Sequence, residues 1–395
     1  MFSFKRIIKI TFPLFISCAI LFGSPLSQAS EKSASGAKQN SCVLIDNDFD
    51  IDDMMAIPMV IGNRYVAAII QSEGYTLPEQ AAAAINELVN NIPDRPNQRK
   101  IPIIVGGKQS PSPDYSQWFW VDFFRTLMNQ ANALLPEPPK PWPTDKEYVS
   151  KVANAVANCE KVSILVIGSF TSFVNYSAAI KDKIDRVVIM GQPIGDNSRS
   201  EGRESFNCSY DLKACQTAMG ILKSFDTYFV DIPKDVGGIC KNTITPSPNC
   251  YTPSYEMVMG GKGSTGLLDT GLPGRLKQAL TNKINCNDKY IKSNDPKKTM
   301  PNPKFLGSGL SNCTALSTWV PANVAAGPGG GALLWDQTAA LFFLHPEHFS
   351  KYYPPNNPAE GGKHYEPNLV NNSYANTADF LRQLWTKSTN QAAMK

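Results

Sequence analysis

The chain of 395 residues holds only three histidines, His345, His348 and His364, and no CxxC pair. Both absences disfavour a zinc site built from nitrogen and sulfur ligands. Charge is sparse too: 18% of residues are Asp, Glu, Lys or Arg, and the net charge of +4 is not gathered into a basic run. The electrostatic footprint of a nucleic-acid binder is missing. No internal repeat occurs. Apolar residues are not scarce: 42% of the chain is hydrophobic, enough for one large core.

The first residues read as a targeting segment. Lys5, Arg6 and Lys9 precede the apolar run from Ile10 to Phe22, and Ser27-Gln28-Ala29 offers small residues for cleavage. This predicts a signal peptide over residues 1–29, a periplasmic or secreted protein, and no stable membrane anchor after cleavage. The run is short and broken by Pro13, which disfavours a transmembrane anchor. Residues 30–41 read as a flexible polar leader, and 42–395 as one domain. Removal of the signal leaves eight cysteines, an even number that fits disulfides in an oxidising compartment. Cys42 and Cys159 each stand just before an apolar strand and would bridge if those strands are neighbours. Cys240–Cys250 and Cys286–Cys313 are candidate staples of a later loop-rich region.

Apolar runs at 43–46, 66–70, 101–107, 162–168 and 186–191, with a sixth at 227–233, alternate with helical patterns such as PEQAAAAINELVNN. Buried runs of this kind predict a Rossmann-like open, mostly parallel α/β sheet with helices on both faces. Residues 234–332, rich in Gly, Pro and Asn, predict an elaborated loop and helix insertion. LLWDQTAALFFL (333–344) predicts a return to apolar helix.

VLIDNDFDIDDMMAI (43–57) carries five aspartates within eight positions. Asp46 and Asp48 share a side of an extended strand. Asp52 and Asp53 open the next helix, where either alone is explained as a cap. Four or five acids at the carboxyl end of a first strand go beyond capping, because open sheets bind ligands there. Oxygen ligands at this density predict a hard cation, Ca²⁺ rather than Mg²⁺ in an exported protein. An EF-hand loop fails because Ile51 and Ile57 occupy its glycine and glutamate positions. A strand-DxD phosphatase fits less well, because Asp50 stands where Thr or Val is expected.

The spacing D-x-D-x-x-x-D-D resembles the nucleoside hydrolase family, and D-N-D its purine-specific branch. IIQSEGYTLPEQ (69–80), IGSFTS (167–172), RVVIMGQ (186–192), SFNCSYDLKAC (205–215) and WDQTAAL (335–341) resemble further segments of that family in the same order. The resemblance implies Ca²⁺ held by Asp48, Asp53, Asp336 and the Thr171 carbonyl. It implies Asp48 as general base toward the attacking water, Asp52 on the ribose 2′-hydroxyl, and Asn207 with Asp336 on its neighbour. Trp335 replaces a histidine of the pyrimidine-tolerant branch and implies stacking on a purine base; Trp118 and Trp120 are candidates for the second face. The implied reaction is cleavage of a nucleoside to base and ribose, by an enzyme whose relatives are commonly dimers or tetramers. Binding of a nucleoside or pentose without turnover is the alternative.

Several positions depart from the pattern. Ser205 stands where an acid for the 5′-hydroxyl is expected, with Glu204 one place early and Asn197 as the candidate upstream Asn. Tyr75 follows Gly74 where much of the family has Asn. Pro58 falls inside the first helix, where it removes a hydrogen bond. Metal and ribose positions are thus retained, whereas the 5′ end and the base pocket are altered.

Overall fold

Strands apolar on both faces have to be covered by helices on both faces, and that requirement sets the architecture. The computed structural model describes residues 39–49, 52–74, 76–90, 100–108, 147–191, 206–230, 335–352 and 363–393. The strands are β1 (Gln39–Asn47), β2 (Val66–Gln71), β3 (Ile103–Val105), β4 (Cys159–Val166), β5 (Ile184–Met190), β6 (Asp226–Val230), β7 (Phe349–Tyr352) and β8 (His364–Pro367). They form one eight-stranded sheet in the order β3-β2-β1-β4-β5-β6-β8-β7. Every neighbour runs parallel except β7, which is antiparallel to β8.

The helices are α1 (Asp53–Asn63), α2 (Pro78–Asn90), α3 (Tyr148–Ala155), α4 (Phe173–Tyr176), α5 (Phe206–Tyr210), α6 (Leu212–Leu222), α7 (Trp335–Leu344) and α8 (Tyr374–Ala393). Alternation along β1 divides the core. Val43 and Ile45 pack in a cluster with Ile57 and Val60 of α1, Ile85 of α2, Phe342 of α7 and Trp385 of α8. Cys42 and Leu44 pack on the other face with Val152 of α3, Phe173 of α4 and Leu222 of α6. Each such side chain contributes about 1.5–3 kcal/mol by leaving water.

The Cys42–Cys159 bridge forms, with 5.9 Å between Cα atoms, because β1 and β4 are adjacent. A second disulfide, Cys208–Cys215, joins α5 to α6. The leader is shorter than its composition predicts. Gln39 already pairs with Cys159, so β1 begins two residues before position 41. Its first residues are polar because they stand at the edge of the core, yet their backbone still joins the ladder. Helix α1 continues through Pro58. The insertion at 234–332, the pairs Cys240–Cys250 and Cys286–Cys313, Trp118, Trp120 and the signal segment lie outside the described residues. No helix among the described residues is long and apolar enough to cross a membrane.

From β1 the chain winds outward to β2 and β3 on one side, then returns to β4 on the other. The carboxyl ends of β1 and β4 therefore flank the point where strand order reverses, the crevice in which sheets of this kind bind ligands.

Candidate active site

At the end of β1 the chain passes through Asp48 to Phe49, whose φ of 56° is left-handed. A non-glycine residue held so costs on the order of 1–3 kcal/mol. The Phe49 ring is fully buried in the core against α1, which offsets that cost. The turn leaves the Asp48 carbonyl to accept from Thr76 Oγ1 at 2.7 Å and from the Thr76 backbone N–H at 3.2 Å. Beside it, Gly74 has no room for a side chain: a β-carbon there would overlap the Asp48 carboxylate. Gly168, after β4, is equally tight, since its β-carbon would lie 2.6 Å from the Asn47 carbonyl carbon.

Asp52 precedes α1 but makes no side-chain cap on it. Its Oδ2 instead accepts the backbone N–H of Asp336 at 3.1 Å, at the amino end of α7 and 284 residues away. The simple capping reading of Asp52 is thus replaced by a tie to a distant helix, where the positive end of the dipole favours an acid. Asp48, Asp52, Asp53 and Asp336 are all buried. Burial pushes the Asp336 carboxyl well above the usual carboxylate range, and the charges of Asp52, Asp53 and Asp48 push it further. Asp52 is raised too, by burial, while the Asp336 N–H pulls it back. Asp336 Oδ1 is buried with no hydrogen-bond partner among the described residues. A carboxylate enclosed among other carboxylates is costly unless something cationic joins them.

Asp46 does separate work. Its Oδ1 lies 2.5 Å from the Ser72 hydroxyl, which lies 2.6 Å from the Ser172 hydroxyl. Ser172 in turn accepts the Gly107 N–H at 2.8 Å. Burial raises Asp46 to about 7, with the Ser72 hydrogen bond and the nearby Tyr176 hydroxyl opposing it and the Asp48 charge adding to it. This network stitches together the carboxyl ends of β1, β2, β3 and β4.

On the β4 side the Thr171 carbonyl accepts from Asn175 Nδ2 at 2.9 Å, and Thr171 Oγ1 donates to Asp211 Oδ2 at 2.8 Å. Asp211 also caps α6 through the Ala214 N–H at 3.0 Å. Asn207, buried on α5, donates Nδ2 to the Ile167 carbonyl at 2.9 Å. Trp335, first residue of α7, is half-buried, whereas Asp336 to Leu344 are buried.

The structure therefore gathers Asp48, Asp52, Asp53 and Asp336, and places Thr171 and Asn207 along the same edge of the sheet. Tyr75, Asn197, Glu204, Ser205 and Asp50 lie outside the described residues. Glu73, Tyr210 and Ser169 join this edge as well, although none stands out in the sequence. Tyr210 donates to Glu73 Oε1 at 2.9 Å, and Ser169 Oγ donates to the Glu73 carbonyl at 2.6 Å. Their signal was position inside the motif segments 69–80, 167–172 and 205–215.

The eight-stranded, mostly parallel open sheet with its helices matches the α/β fold of nucleoside hydrolases. A family model described as inosine-uridine preferring nucleoside hydrolase matches residues 43–247, and the chain belongs to that family. Among solved structures, an inosine-guanosine nucleoside hydrolase is similar at 12% identity and a TM-score of 0.52, over 89% of this chain and 99% of that one. A purine-preferring ribonucleoside hydrolase from Gardnerella vaginalis is similar at 14% identity and a TM-score of 0.52, over 90% and 100%. The type III effector protein XopQ, complexed with adenosine diphosphate ribose, is similar at 13% identity and a TM-score of 0.50, over 90% and 93%. No curated protein matches the sequence itself.

Proposed function

We propose that the protein is an exported, Ca²⁺-dependent N-ribohydrolase that splits purine nucleosides into free base and ribose. One observation carries the reading: buried carboxylates from the start of the fold and from α7 face one another, and Asp336 keeps an oxygen with no protein partner among the described residues. The donor set fits a hard divalent cation, which takes six to eight oxygen ligands. Among the described residues the acids do not already stand as a closed group of three or more metal-ligating side chains. A cation would therefore draw them together, and Asp48, Asp53, Asp336 and the Thr171 carbonyl are the proposed ligands. When bound, the ion lowers the pKa of water and polarises the ribose hydroxyls.

The chain's own groups supply the rest. Asp48 accepts a proton from the attacking water at its carboxylate, which Gly74 confines. Asp52 accepts from the ribose 2′-hydroxyl, and Asn207 presents its amide oxygen to the neighbouring hydroxyl together with Asp336. Hydroxyls held so tightly let binding energy favour an oxocarbenium-like transition state. Trp335 stacks on the base and eases its departure; such stacking is worth about 1–3 kcal/mol in nucleic-acid binders. No described histidine takes that place. His364 is buried on β8 against Phe229, and His345 contacts Ser388 of α8. The two disulfides suit an oxidising compartment, in keeping with export.

The test is ribose release from inosine and from uridine in saturating Ca²⁺. The reading expects release, faster from inosine, and a fall of about 10²–10⁴ in kcat for Asp48→Asn. Binding without release would instead favour a nucleoside-binding protein, and phosphate release from a phosphoester would favour the phosphatase reading.

A further inference from the structure

The hydrogen bond from Tyr210 to Glu73 crosses the crevice. Glu73 follows β2, on one side of β1, and Tyr210 lies on α5, whose Asn207 is bonded to the end of β4 on the other side. Three of the bonds that meet on Glu73 come from separate elements. Its carboxylate accepts from Tyr210, its carbonyl accepts from Ser169 Oγ, and its N–H donates to the Gly107 carbonyl at 3.1 Å. It is held from β3, β4 and α5 at once. The next residue, Gly74, is packed so closely on the Asp48 carboxylate that a single added carbon does not fit.

We infer that Glu73 and Tyr210 are a pair of positioning residues that set the Asp48 carboxylate and Asn207 relative to one another. The inference rests on the proposed N-ribohydrolase reading and assigns two further residues to that site. Asp48 is fixed from below by the strained Phe49 turn and from the side by Gly74, so its carboxylate follows any displacement of the 73–74 backbone. Asn207 sits one helical turn before Tyr210 on α5, so its amide follows any displacement of that helix. One buried bond from a phenol to a carboxyl group couples the two displacements. The Cys208–Cys215 disulfide closes the short segment that carries Tyr210 and Asp211, so α5 responds as a unit rather than by fraying.

The test compares Tyr210→Phe, which deletes one hydroxyl and keeps the ring, with Glu73→Gln, which keeps an acceptor oxygen, and Glu73→Ala, which keeps none. Glu73→Gln is expected to stay within about threefold of the unaltered enzyme. Tyr210→Phe and Glu73→Ala are expected to lose about tenfold to a hundredfold in kcat, the scale of a misplaced catalytic group, with KM changed less than kcat. A merely structural bond would lower the melting temperature and leave kcat of the remaining folded enzyme intact. That outcome overturns the inference. If the unaltered protein releases no ribose, the N-ribohydrolase reading fails by itself, and the same variants are judged by calorimetric titration with Ca²⁺ alone. Tyr210→Phe must then weaken Ca²⁺ binding by about tenfold, since Asp48 is a proposed ligand. Unchanged affinity overturns the inference on that route.

Discussion

The two ends of α7 are treated in opposite ways. At its amino end the Asp336 N–H is taken by Asp52, and the Asp336 side chain is enclosed among acids. At its carboxyl end the last carbonyls meet cations: Arg186 donates to the Phe343 carbonyl at 3.0 Å, and Arg64 lies 3.5 Å from the Leu344 carbonyl. The Arg186 guanidinium also sits 4.5 Å from the Phe343 ring centroid. Both ends obey the helix dipole, but only one is electrostatically settled. The amino edge of the sheet is settled elsewhere too, since Lys183 donates to the carbonyls of Val156, Ala157 and Cys159. Groups left mismatched, like the acids at the carboxyl edge, mark where a ligand belongs.

The largest effect on this contrast is expected from Gly74→Ala, which puts a carbon into the volume of the Asp48 carboxylate. We expect about a hundredfold loss of kcat on inosine with the secondary structure, followed by circular dichroism, retained. Activity within twofold would mean that Asp48 is not confined there.

The acids also make stability depend on pH in a direction opposite to ordinary paired carboxylates. Asp46 is raised from 3.8 to about 7, and Asp336 is raised well above its ordinary value. The folded protein therefore keeps protons that the unfolded chain gives up. The resulting stability is complete below about pH 4 and is lost as pH rises through about 7. Metal-free protein should melt at progressively lower temperature across that window, and Ca²⁺ should restore more at pH 7.5 than at pH 5. Thermal unfolding in chelator and in Ca²⁺ checks this; a melting temperature that rises across the window without metal would contradict it.

The smallest effect on function is expected at the settled end of α7. Arg186→Met removes a hydrogen bond from a charged donor and a cation–π contact, at a cost of about 1.5–3 kcal/mol, while kcat/KM should stay within twofold. Denaturant unfolding and steady-state kinetics on the same preparation separate the two. A large loss of activity would erase the distinction between the ends.

How legible each region was in the sequence follows the same division. β1, β2, β4 and β5 were readable because strands buried on both faces write themselves as apolar runs. The Cys42–Cys159 bridge followed from those runs. The polar start of β1 at Gln39 was misread as leader, since a strand end outside the core carries no apolar signal. β7, β8 and α8 went unanticipated; β8 is the four-residue segment His364–Pro367, too short to show a period. At the site, Asp48, Asp52, Asp53 and Asp336 stood out because clustered or apolar-embedded acids are rare. Glu73 and Tyr210 did not, because a buried hydrogen bond between residues 137 apart leaves no local pattern. The Cys208–Cys215 pairing was likewise hidden, since eight cysteines permit many connectivities.

The most direct measurement is calorimetric titration of the metal-free protein with Ca²⁺, repeated on Asp336→Asn. One bound ion per chain is expected, with release of a proton as the ion displaces it from the acid cluster, and at least a hundredfold weaker binding once Asp336 loses its charge. Binding that Asp336→Asn leaves unchanged, or no binding at all, would contradict the claim that the two distant parts of the chain meet on one cation.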